Sequence, residues 1–112
     1  MKLTDKELEV MYVLWGSEVP MTVAQIIGAS ETRTWKKDSI FVMMNTLITK
    51  GAIVLTHYAA TATNTARAYT PTLTIEEYAA VIVDRMTKIG KPGVCFDLDA
   101  FIERIKKMKE DS

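Results

Sequence analysis

Between Trp35 and Ile53 the chain spells out a helix, its terminator and the start of a strand, and this run constrains the rest of the fold. Ile40, Met43, Met44 and Leu47 recur at i, i+3, i+4 and i+7, which at 3.6 residues per turn puts them on one buried stripe. Gly51 then supplies the left-handed residue that ends a helix, and the β-branched Ile53 and Val54 open a strand. The opposite face holds Asp38, Val42, Asn45 and Thr49, flanked by Ser39 and Thr46.

Two shorter helices are predicted upstream. Thr4-Asp5-Lys6-Glu7 has the Thr-x-x-Glu form in which the first side chain caps a free amide and the last reaches back. Leu8, Met11, Tyr12 and Trp15 form the expected inner face of that helix, and Gly16 stops it. Thr22-Val23-Ala24-Gln25 repeats the capping logic, with Val23, Ile26 and Ile27 facing inward and Gly28 closing the second helix. Residues Ala29 to Thr34 read as a loop. Downstream, Ile53 to Tyr58 and Ala68 to Thr70 have strand character on either side of Ala59 to Thr65, which predicts a hairpin with a flexible tip, ended by Pro71. The order is mainly α with a small β-hairpin: a winged helix-turn-helix over residues 1–72, a fold that lays its third helix in the DNA major groove.

Over 73–112 two amphipathic helices are expected. Ile75, Tyr78, Ala79, Ile82, Met86 and Ile89 trace one stripe up to Gly90, and Pro92-Gly93 forces a break. Asp97 then caps a helix whose stripe is Leu98, Phe101, Ile102, Ile105 and Met108. Such helices cannot cover their apolar faces within so short a chain, so the region is read as C-terminal dimerisation helices, with Ile82, Met86, Ile89, Leu98, Phe101, Ile102 and Ile105 at the seam.

Composition excludes several classes. The 112 residues allow one small core plus an accessory element, not a multidomain enzyme. No apolar run approaches a membrane span and the N-terminus lacks a signal-peptide core, so a cytoplasmic protein without a membrane partner is expected. A single cysteine, Cys95, rules out an internal disulfide and a cysteine-rich metal site, and is read as a small packed residue. His57, the one histidine, has no orienting motif with Cys95, and reads as a wing strand residue; no catalytic residue, metal or cofactor is expected. Trp15 and Trp35 read as packing residues, and Met43, Met44, Met86 and Met108 as core or seam. The formal net charge is +0, yet between Arg33 and Arg67 the lone acid Asp38 faces Arg33, Lys36, Lys37, Lys50 and Arg67. That basic middle, joined to a more acidic tail, suits local phosphate contact.

Over essentially its full length the chain resembles the penicillinase and methicillinase repressors, the BlaI/MecI/CopY family of bacterial winged-helix regulators. The landmarks are Leu3 to Met11 with Leu14-Trp15, Thr22-Val23 with Ile26, Trp35 with Ser39-Ile40, Leu47 to Ile53, and Tyr69-Thr70-Pro71. The resemblance implies a homodimer that holds two winged heads on a pseudo-palindromic, double-stranded DNA operator and represses transcription until an inducing sensor or protease removes it. No residue pattern places a cleavage site. The cysteine-rich signal of the copper-responsive branch is missing. The family's Thr-x-x-Thr with an Arg four residues on becomes Ser39, Val42 and Thr46 here, and Phe41 stands where a polar side chain is common. A valine can touch a thymine methyl but cannot donate a hydrogen bond.

The DNA-contacting set read from this is Lys36, Lys37, Ser39, Val42, Asn45, Thr46, Thr49, Lys50 and Arg67, with Asn45 and Ser39 as base readers and the cations on phosphates. Two other functions are open to such a chain. One is a winged-helix protein-interaction module with weakened or lost operator binding that uses Phe41 and Val42; the other is a small-ligand sensor with a pocket at the dimer seam, for which no polar constellation is evident.

Overall fold

A computed structural model describes residues 1–60, 65–90 and 93–112, with side chains for all of these except 57–60 and 65–66. The elements run α1 (Asp5–Trp15), β1 (Met21–Thr22), α2 (Val23–Ala29), α3 (Ile40–Lys50), β2 (Ile53–Ala60), β3 (Thr65–Pro71), α4 (Ile75–Ile89) and α5 (Leu98–Asp111). This is the expected winged helix followed by C-terminal helices. The chain divides into two compact units, Met1–Val81 and Ile82–Ser112, so α4 begins in one and ends in the other.

The sheet has one strand more than the predicted hairpin. Its order is β1-β3-β2, all antiparallel, with Met21 opposite Tyr69 and Thr22 opposite Ala68. A two-residue strand is too short to show a period of two, which is why β1 is silent in the sequence. Both wing strands reach further than expected, to Ala60 and from Thr65, and the tip at 61–64 lies outside the described residues. A bulge between Leu55 and His57 shifts the β2–β3 register.

The core of the first unit comprises Leu3, Val10, Met11, Leu14, Ile26, Trp35, Ile40, Met44, Leu47, Ala52, Ile53 and Tyr69. The α3 stripe is as predicted, with Ile40, Met44 and Leu47 buried and Met43 half-buried. Gly51 ends the helix at φ +79°, and the Ala52 amide donates to the Leu47 carbonyl at 2.9 Å, the six-residue closure that an αL glycine permits.

On α1 the buried face differs from the expected one. Glu7, Val10, Met11 and Leu14 are buried, whereas Tyr12 is 57% exposed and Leu8 and Trp15 are half-buried. Apolar side chains occupy both sides of this helix, so periodicity alone cannot choose between them. The choice follows from polar handles: the Trp15 indole N–H donates to the Leu73 carbonyl at 2.8 Å, and Tyr12 stands edge-on to Trp15 at 5.3 Å, which keeps both rings at the rim. Likewise α2 continues through Gly28 to Ala29 because Ser30 closes it, its hydroxyl donating to the Ile26 carbonyl at 2.6 Å. The start of α4 is tied to the head: Tyr78 Oη accepts from the Leu3 amide at 2.9 Å.

In the second unit, Asp97 caps α5 by accepting from the Ala100 amide at 3.1 Å. Cys95 is exposed, not packed: it lies in the irregular segment before α5, where Phe96 turns to Phe101 with ring centroids 5.4 Å apart.

The charged side chain buried in the head is Glu7, only 4% exposed. One carboxylate oxygen, Oε1, accepts from the Thr4 amide at 2.8 Å and from Lys50 Nζ at 2.6 Å, while Lys50 Nζ also donates to the Lys2 carbonyl at 2.8 Å. Burial opposes ionisation of Glu7, but the Lys50 ammonium and the Thr4 hydrogen bonds outweigh it and hold the carboxyl below its ordinary value. A carboxyl depressed in this way contributes stability that is complete above its unfolded value of 4.5 and is lost as pH falls through the lower folded value. Denaturant titration is therefore expected to show Glu7→Gln destabilising at neutral pH by about 1–2 kcal/mol and Glu7→Ala by about 2–4 kcal/mol, since alanine loses the cap as well. The Glu7→Gln deficit should shrink below pH 4.5; a deficit unchanged at low pH would mean the ion pair contributes nothing.

Candidate nucleic-acid interface

Trp35 is 3% exposed and anchors the loop before α3 in the core, with the Arg33 guanidinium 5.3 Å from the ring centroid. Next to it, the Thr34 amide donates to Glu9 Oε1 at 2.9 Å and the Thr34 hydroxyl donates to the other carboxylate oxygen, so these bonds hold the Glu9 carboxyl below its usual range. A single 3-10 turn, Lys37–Ser39, then leads into α3, and Ser39 adopts αR geometry without capping by its side chain.

The outward face of α3 is unusually apolar. Phe41 is 65% and Val42 68% exposed, and Ile48 is exposed beside them. Asn45 and Thr49 are exposed, and Thr46 and Ser39 half-buried. Two hydroxyls turn back on the helix: Thr46 donates to the Val42 carbonyl and Thr49 to the Asn45 carbonyl, each at 2.9 Å. Their protons are committed within the helix, leaving the Asn45 carboxamide and the half-buried Ser39 hydroxyl as the uncharged side-chain donors of that surface.

A groove of about 820 Å³ runs between the start of α2, α3 and β3. Its walls include Val23, Ala24, Ile27, Phe41, Met44 and Tyr69, and its polar groups include Lys37, Asp38, Asn45 and Arg67. Three of the sequence-derived residues, Lys37, Asn45 and Arg67, are thus brought together. Lys36 is exposed just before the 3-10 turn, and Val42, Thr46 and Thr49 lie on α3 outside the groove. The Lys50 ammonium spends two of its three donors on Glu7 and the Lys2 carbonyl, which draws it toward the N-terminal segment. The partner lies 43 residues away in sequence, so no local pattern announces it. Phe41, which stood out in the sequence only as an unexpected apolar residue, shares the groove with Asn45 and Arg67.

Of the residues expected from the sequence at a dimer seam, Met86, Ile89, Leu98, Ile102 and Ile105 are exposed, and Ile82 and Phe101 are half-buried. Among the described residues no His, Cys, Asp or Glu cluster could hold a metal ion, and no helix is long and apolar enough to cross a membrane.

A search of curated proteins finds no match. The family model of the penicillinase repressors matches residues 3–94, which takes in the whole winged helix and α4. With the winged-helix order of its elements and a match over most of its length, the chain belongs to the penicillinase repressor family, a family of DNA-binding transcriptional repressors.

Proposed function

We propose that the protein represses transcription as a cytoplasmic homodimer on a pseudo-palindromic operator, with residues 1–72 as the DNA-binding head and 73–112 as the dimerising region. The observation that carries this reading is an exposed α3 with Lys36 and Lys37 at its start and Arg67 across the groove, in a member of a repressor family. Lys36, Lys37 and Arg67 contact phosphates and set position, while Ser39, Val42, Asn45, Thr46 and Thr49 face base edges in the DNA major groove. What supports the dimer is the run of exposed apolar side chains on α4 and α5, which water leaves unsatisfied. Two heads related by a twofold axis would engage half-sites about 34–36 Å apart or a multiple of that.

A second reading, a protein-interaction module that has lost operator binding, is favoured by the exposure of Phe41 and Val42. Salt dependence separates the two. Binding to duplex DNA followed by fluorescence anisotropy from low to high salt is expected to give a steep logarithmic slope that falls by about one for each of Lys36→Ala, Lys37→Ala and Arg67→Ala, with similar losses on all sequences. Lys50→Ala, in contrast, should leave the slope unchanged and lower the melting temperature. A flat slope in the unaltered protein would favour the interaction module.

For the dimer, Ile102→Asp places a charge in an apolar seam, and sedimentation at micromolar concentration is expected to show monomer where the unaltered chain is dimeric. A dimer that survives this change would place the seam elsewhere.

A further inference from the structure

The bases that this α3 can read follow from what its outer face lacks as much as from what it offers. Guanine is read in the major groove mainly by Arg or Lys paired to its O6 and N7. From Ile40 to Thr49 α3 carries no cation, and Lys50, the next residue, is bound to Glu7. The threonine hydroxyl protons are spent on the Val42 and Asn45 carbonyls. Besides Ile48, two turns on from Phe41, and the half-buried Ser39 hydroxyl, which suits any base and so discriminates little, what the face presents is two apolar side chains, Phe41 and Val42, and one carboxamide, Asn45.

Each of these has one natural partner on a base-pair edge. The C5 methyl of thymine is the apolar group displayed in the major groove, and a carboxamide fits the N6 and N7 of adenine with two hydrogen bonds. Val42 and Asn45 are three residues apart, about 4.5 Å along the helix axis at 1.5 Å per residue, so they would meet the same or adjacent base pairs. Phe41 lies one turn before Asn45 on the groove side, where Lys37 and Arg67 stand by for phosphates and Asp38 is the lone acid. Cations around so small an apolar patch complement a polyanion rather than another protein's apolar surface.

We infer that Phe41, Val42 and Asn45 read thymine methyls and an adenine edge, so that the operator half-site consists of A·T pairs where α3 meets it. The inference rests on the repressor reading above and adds the sequence class that this face selects.

The test begins by selecting duplexes from a random pool with the full-length chain. Affinity is then measured with deoxyuridine replacing thymine, one position at a time, which removes only the methyl. In the unaltered protein, one or two positions should each weaken binding by about fourfold, the scale of one buried apolar carbon. Val42→Ala or Phe41→Ala should abolish the penalty at its own position and leave the other, and 7-deazaadenine at the paired adenine should cost about tenfold with Asn45 but nothing in Asn45→Ala. All three side chains are on the surface, so circular dichroism should show each variant folded. Enriched duplexes that tolerate deoxyuridine everywhere, or that carry G·C pairs at the contacted positions, would overturn this inference and leave the repressor reading intact. No enrichment together with a flat salt slope would overturn both.

Discussion

One carboxylate sets the geometry of the head. Glu7 closes the N-terminus of α1 by accepting the Thr4 amide, and the same oxygen accepts from Lys50 at the end of α3. Two helices remote in sequence are thereby fixed at a shared point, and the Lys2 carbonyl fastens the leading segment to it. A buried ion pair has desolvation to overcome, and replacing both partners with well-packed apolar residues could be neutral for stability. What such a replacement would not reproduce is direction: an ammonium with a carboxylate and a carbonyl as acceptors fixes where α3 ends relative to α1, as the greasy contacts around it do not.

Fixing one end of α3 also determines which side chains its outer face presents. The C-terminal end is sealed by Gly51, the Leu47–Ala52 closure and the Lys50 pair, and the buried stripe Ile40, Met44 and Leu47 sets the rotation of the helix. Phe41, Val42 and Asn45 are then presented outward by default. Phe41 and Val42, 65% and 68% exposed, add little to the core that fixes this rotation.

Local signals were the legible ones. The helical period of Ile40, Met44 and Leu47, the terminator Gly51, the capping boxes at Thr4 and Thr22 and the cap at Asp97 each lie within one or two turns, and each is found in place. A further box at Thr74, whose hydroxyl accepts from the Glu77 amide at 3.1 Å, carries the same signature and begins α4. Nonlocal choices were hidden. The rotation of α1 depends on Leu73 capturing Trp15, the commitment of Lys50 depends on Glu7, and β1 exists only because Tyr69 and Ala68 are there to pair with it. The residues at the face of α3 could be named from sequence, but which of them retain a free donor could not, since that turns on threonine rotamers.

Charge placement reconciles a formal net charge of +0 with a polyanionic partner. Lys50 is neutralised by Glu7, so among the described residues the unpaired positive charge of the region gathers ahead of α3, in Arg33, Lys36 and Lys37, and on β3 in Arg67. The helix dipole adds partial positive charge at that same end. A field of this shape is local: it falls off within about a Debye length of 8 Å at physiological salt. Long-range steering would be weak for such a chain, while contact electrostatics at the N-terminal end of α3 would remain strong. Under the repressor role proposed above, operator choice would then rest on close-range contacts, the ones assigned there to Phe41, Val42 and Asn45.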